Sequence, residues 1–269
     1  MKALISDCII SLNQATPEPP VIFAFPGAGQ KSDVFHHFAK EAGSSYSVFG
    51  VEPRGLRPGE RPFVSVEEAS EAYADMLFSK ASNRAVHLIG HLFGGLVAFE
   101  TALRLQARGM SIVSLGLLNP PLPQWRAETS LVQIQRSFLS NLYDPRTFTR
   151  PAVAIEAAEK TTTEFIASLK RLLPARASED FLFAQFETFR AAFQANYSAK
   201  GPFNGTGHIF IAFGKDENQI IPQWERMLRN MTICLVPVGS HQMLQPQNSH
   251  SLFRMWRESL RTSELQSDH

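Results

Sequence analysis

The residues with chemical potential concentrate at Gly90-His91-Leu92-Phe93-Gly94-Gly95. An apolar run ending at Ile89 leads into them, and apolar residues return at helical spacing through Leu96, Phe99, Ala102 and Leu103. Strand, glycine-bracketed turn and helix together make a nucleophile elbow. In such a turn the central residue holds a strained backbone, and the flanking glycines let strand and helix approach without a clash of Cβ atoms. The chemistry such a turn serves is nucleophilic attack by the side chain at its centre. Here that residue is Leu92, which has no lone pair to attack with.

A second turn bears on the same chemistry. The apolar run 21–25 ends in Phe25-Pro26-Gly27-Ala28-Gly29, and a strand entering a Gly-rich turn leaves backbone N–H groups to hold an oxyanion. Alone, a short Gly-rich turn reads first as a plain strand-to-helix connection; the elbow further along reverses that in favour of the oxyanion reading. His87 and His91 are four apart but straddle a strand end and the elbow, so they do not share a helical face as a metal pair does. No metal site is expected. His91 reads as a packing position, and His36, His37, His208, His250 and His269 show no ligand pattern.

The elements that must position these residues alternate. Strand-like runs at 21–25, 46–51, 86–89 and 111–118 are separated by helical stretches at 32–41, 65–80 and after the elbow, which predicts a mostly parallel sheet with helices on both faces. Residues 8–12 read as an edge or first strand before a Pro-rich linker. Ser65 is placed as an N-cap with Glu68 completing a capping box. From about 124 to 204 the alternation stops, with helical stretches near 131–142, 152–173 and 179–197. An insertion of that length predicts a helical lid over the site. Phe183, Phe186, Phe189 and Phe193 fall on one helical face there. They suit either packing between lid and body or a wall for an acyl chain. Strands resume at 208–213 and 231–239, and a helix near 249–261 closes the chain.

A chain of 269 residues fits one α/β domain with an insertion. The net charge of +1 supplies no field for nucleic acid or an anionic membrane, and neither is expected as a partner. Cys8 and Cys234 lie in apolar runs and read as core thiols. The sequence shows no membrane-spanning run and no secretory leader pattern, so a cytoplasmic location is expected.

From about residue 20 to 256 the chain resembles the thioesterase domains and free-standing type II thioesterases of nonribosomal peptide and polyketide synthesis. The elbow, the phrase Val48-Phe49-Gly50-Val51-Glu52-Pro53-Arg54-Gly55-Leu56 and residues 64–77 carry the resemblance. It implies an α/β-hydrolase fold with a Ser at position 92, where this chain has Leu. It implies an oxyanion turn formed by Phe25, Pro26, Gly27 and Ala28 with Phe93. His241, two residues after Gly239, matches the family's catalytic His. The triad acid stands either at the end of the strand before the insertion, where this chain has Asn119, or in the turn at Asp216 or Glu217. Asn119 can hydrogen-bond an imidazole but cannot stabilise an imidazolium by charge.

The resemblance further implies an acyl or peptidyl carrier protein as partner and a small-molecule acyl chain as ligand. No cofactor is expected beyond the phosphopantetheine arm of that carrier, as part of the substrate or partner. Three functions remain open on the sequence. One is a scaffold or partner subunit that binds the carrier-linked chain without covalent catalysis. Another is a Ser-independent cyclase, lyase or direct hydrolase using His241 as general base. The third is an ordinary acyl-thioester hydrolase or cyclase in which Leu92 is an introduced change.

Overall fold

In the computed structural model, described over residues 8–14, 19–81, 84–142, 156–172, 178–214 and 217–267, the alternation expected from the sequence is present. The first half runs β1 (Ile9–Ser11), β2 (Val21–Phe25), a 3-10 turn (Ser32–Phe35), α1 (His36–Ala42), β3 (Ser47–Val51), α2 (Val66–Ala81), β4 (Val86–His91), α3 (Phe93–Ala107) and β5 (Ile112–Leu118). Next come β6 (Gln124–Trp125), α4 (Leu131–Leu142), α5 (Thr162–Leu172), α6 (Glu179–Gln194) and β7 (Tyr197–Ser198). The chain continues through β8 (Phe203–Ala212), α7 (Glu217–Glu225), β9 (Leu228–Val236), a 3-10 turn (Ser240–Gln242) and α8 (Pro246–Ser267).

Seven strands form one sheet in the order β1-β3-β2-β4-β5-β8-β9. Only the β1–β3 pair is antiparallel. All five residues of β2 are buried, as a strand covered on both faces requires. One face packs Leu77, Leu96, Phe99 and Trp224 from α2, α3 and α7. The opposite face packs Phe35, Phe38, Leu252 and Trp256 from the first 3-10 turn, α1 and α8.

This strand order fixes where a ligand can sit. From β2 the chain moves outward to β3, then returns to place β4 on the other side of β2. The turns leaving β2 and β4 therefore diverge, and the crevice between such turns is where open α/β sheets bind ligands. Those two turns are the Gly-rich turn expected to hold an oxyanion, hereafter the oxyanion turn, and the elbow.

The insertion has its own small core, in which Phe138, Phe165, Leu169 and Phe186 meet. Its base is not purely helical as expected: β6 and β7 pair antiparallel, Gln124 with Ser198 and Trp125 with Tyr197. The expected boundary at 204 also moves, because β8 begins at Phe203. Part of the helix expected at 152–173 falls outside the described residues. At Ser65 the cap forms, with Oγ accepting from Glu68 N–H at 3.0 Å, but Glu68 returns its carboxylate to Val64 N–H at 3.1 Å. Cys8 is buried and Cys234 half-buried, and burial pushes the Cys234 thiol up to about 11. No described helix is long and apolar enough to cross a membrane.

Candidate functional site

The elbow has the geometry its sequence implies. Leu92 adopts φ 50° and ψ −125°, a conformation that costs a residue with a Cβ on the order of 1 to 3 kcal/mol. Its glycines are sterically required. A Cβ on Gly90 would lie 2.5 Å from the Gly94 carbonyl oxygen, and one on Gly94 would collide with the carbonyl oxygens of Phe25 and Pro26. The start of α3 is thus pressed against the backbone of the oxyanion turn. A Cβ on Gly27 would lie 3.6 Å from Leu92 Cβ, so turn and elbow centre adjoin. Leu92 is half-buried, and its side chain is aliphatic.

Two backbone donors without an acceptor among the described residues lie at the turn and the elbow, on Ala28 and Phe93. Phe93 opens α3, so its N–H has no intrahelical acceptor. The Gly27 N–H is engaged by Gln30 Oε1 at 3.1 Å. Among the described residues, neither Ala28 N–H nor Phe93 N–H has an acceptor.

His91, beside Leu92, is buried, and its Nε2–H donates to the Ser240 carbonyl at 3.1 Å. That bond pins the turn bearing His241 to the end of β4. Burial holds the His91 pKa down at about 4, with the nearby His241 charge acting in the same direction and the Ser240 bond opposing it. The ring is neutral at ordinary pH, and in this tautomer Nδ1 is the bare nitrogen, 3.4 Å from Gln30 Oε1. His241 itself is exposed on the 3-10 turn.

The acid candidates separate. Asn119 is fully buried at φ 46°, a left-handed conformation that Asn tolerates better than most residues. Its Oδ1 accepts from Ala212 N–H at 3.3 Å, so the carboxamide oxygen is committed to the β8 backbone. Its Nδ2 is buried without a partner among the described residues. Glu217 is exposed in the first turn of α7, where a carboxylate complements the helix dipole. Asp216 lies outside the described residues.

A cavity of about 70 Å³ borders the Gly-rich turn at 25–29, and neither Leu92 nor His241 lines it. Its wall runs from Phe25–Gly29 and Phe93 to Val51, Arg54, Phe63, Val66, Ala69 and Tyr73, and is closed by Thr188 and Ala192 of α6. Of the four phenylalanines that suit either packing between lid and body or an acyl-chain wall, none lines this cavity. Phe183 is 45% exposed, Phe186 and Phe189 pack into the insertion core, and Phe193 stacks on Phe189 and meets Trp125 edge-on. The helical face was read correctly, but it packs on α4 and α5. Sequence reading also missed Gln30 and the wall from residues 51–69, which no motif marks. Among the described residues, no cluster of His, Cys, Asp or Glu could hold a metal ion.

Residues 20–260 match the family model described as Thioesterase domain. Among curated relatives, atromentin synthetase of Tapinella panuoides is 30% identical over 115 residues, covering 43% of this chain and 12% of the synthetase. Indigoidine synthase of Streptomyces lavendulae is 28% identical over 177 residues, covering 61% of this chain and 14% of the synthase. The chain thus spans a small fraction of these proteins. Among solved structures, the type II thioesterase YbtT of the yersiniabactin NRPS/PKS pathway has a TM-score of 0.68 at 19% identity, covering 95% of this chain and 98% of its own. The RedJ thioesterase of the prodiginine pathway of Streptomyces coelicolor has a TM-score of 0.67 at 20% identity, covering 90% and 87%. The shared architecture is the α/β-hydrolase fold, and by the family match over most of its length this chain belongs to the thioesterase domain family.

Proposed function

We propose that this chain serves a polyketide or nonribosomal peptide pathway by binding the acyl chain that a carrier protein presents on its phosphopantetheine arm, without hydrolysing it. The observation that carries the reading is Leu92. An elbow kept in a strained conformation, with both glycines sterically required, presents an aliphatic side chain where acyl transfer needs a nucleophile. The Ala28 and Phe93 N–H groups still suit a thioester carbonyl, so recognition is retained and attack is not. The similarity to YbtT, a type II thioesterase of an NRPS/PKS pathway, supports the pathway.

The test is intact-mass and product analysis of the wild type, Leu92→Ser and His241→Ala with an octanoyl-pantetheine thioester and the corresponding acyl carrier protein. The reading expects no acyl-enzyme and no hydrolysis by the wild type, carrier capture by the wild type and by His241→Ala alike, and unchanged pathway output with His241→Ala. Wild-type turnover that disappears with His241→Ala would overturn it in favour of a Ser-independent enzyme.

A further inference from the structure

Three carboxamides surround the oxyanion turn, and together they decide which way its peptide groups face. Gln30 belongs to the turn: its Oε1 accepts from Gly27 N–H at 3.1 Å, and its backbone N–H donates to the Gly27 carbonyl at 3.0 Å. Asn141, near the end of α4, donates from Nδ2 to the Ala28 carbonyl at 3.3 Å and accepts from Gln30 Nε2 at 3.4 Å. Gln185, on α6, donates from Nε2 to the Gly29 carbonyl at 3.1 Å. The α6 backbone follows closely, since a Cβ on Gly29 would lie 2.6 Å from the Gln185 carbonyl oxygen.

A trans peptide points its N–H opposite to its C=O. Because the Gly27 carbonyl is held inside the turn by the Gln30 N–H, the Ala28 N–H in the same peptide plane is turned outward from it. The Ala28 carbonyl is drawn to Asn141 on α4, and the Gly29 carbonyl to Gln185 on α6, which turns the Gln30 N–H of that same peptide plane toward the Gly27 carbonyl. Four consecutive backbone groups thus have fixed directions, and two are fixed by side chains of the insertion rather than of the sheet. Gln30, Asn141 and Gln185 are half-buried, and Gln30 Oε1 also lies 3.4 Å from His91 Nδ1 at the end of β4.

We infer that Gln30, Asn141 and Gln185 are positioning residues that make the outward orientation of the Ala28 N–H conditional on the insertion being seated. This rests on the proposed binding of a thioester carbonyl at Ala28 and Phe93, and it adds a regulation of that same site. Lifting α4 and α6 releases the Ala28 and Gly29 carbonyls, and the turn loses its fixed donor. The Phe93 N–H is unaffected, because α3 is braced by the sheet.

Hydrogen exchange on the ligand-free protein tests the coupling, using Asn141→Leu and Gln185→Met, which keep side-chain volume and remove the donor. Each variant should speed exchange of the Gly27 and Gln30 amides by about tenfold, a change of the size one lost hydrogen bond produces, while β4 and β5 amides keep wild-type protection. Unchanged exchange at Gly27 and Gln30 in both variants would overturn the inference. Equal acceleration in β4 and β5 would also overturn it, as a general loss of stability. Adding octanoyl-pantetheine should move the amide proton shifts of both Ala28 and Phe93 in the wild type, but that of Phe93 alone in the variants. If the exchange result holds and the ligand moves neither shift, the coupling stands and the acyl-binding reading falls.

Discussion

Lowering the pH should unfold this protein through three buried histidines. His87, His91 and His208 are all buried, and desolvation lowers each pKa from 6.5 to about 4. His87 shares its Nδ1 with Ser114 Oγ at 2.8 Å, whereas both His208 ring nitrogens lack a partner among the described residues. Between pH 6.5 and about 4 the unfolded chain binds a proton that each folded imidazole refuses, so stability falls as the pH drops through that window. A fall from 6.5 to about 4 is worth about 3 kcal/mol per histidine once the window has been crossed. Three such residues together rival the whole stability of a typical domain, about 5 to 15 kcal/mol. Replacing His208 with Leu removes one of them and also removes an unpaired buried polar group. Urea unfolding at about pH 7 and about pH 5 should show the variant losing about 2 kcal/mol less than the wild type between the two. At about pH 7 it should be at least as stable. An identical pH dependence in the two proteins would refute the reasoning, since it would mean His208 already protonates in the fold.

Two further expectations concern the elbow. Comparing Leu92→Gly with Leu92→Ala isolates the backbone at φ 50°: Gly should be more stable than Ala by about 1 kcal/mol in thermal or urea unfolding, the reverse of their usual order. Gly94→Ala forces a methyl group into the carbonyl oxygens of Phe25 and Pro26, and should cost about 3 kcal/mol in urea unfolding; a loss below about 1 kcal/mol would mean that α3 and the oxyanion turn separate freely.

Much of the framework was legible because it is local. The alternation of apolar runs gave the parallel sheet, since a buried parallel strand has to be apolar throughout, as Val21–Phe25 is. Gly90 and Gly94 announced a turn that only residues without a Cβ can pack. Other features were half legible. The period of Phe186, Phe189 and Phe193 correctly marked one helix face, but a periodicity cannot say which neighbour that face meets. It met the rest of the insertion. Asn119 was identified as a candidate acid position by its place at a strand end, yet the direction of its carboxamide depends on β8, more than eighty residues later in the chain.

The sequence by itself determined the elbow, the leucine at its centre and the family frame around it, because each is written in residue types over a few positions. Only the tertiary structure decided that β2 and β4 flank the same crevice, that His91 ties the His241 turn to the elbow, and that Asn141 and Gln185 reach back to Ala28 and Gly29. The bonds from Asn141 to Ala28, from Gln185 to Gly29 and from His91 to Ser240 join residues 113 to 156 positions apart, and a carboxamide or imidazole that finds its partner at such a separation leaves no pattern along the chain.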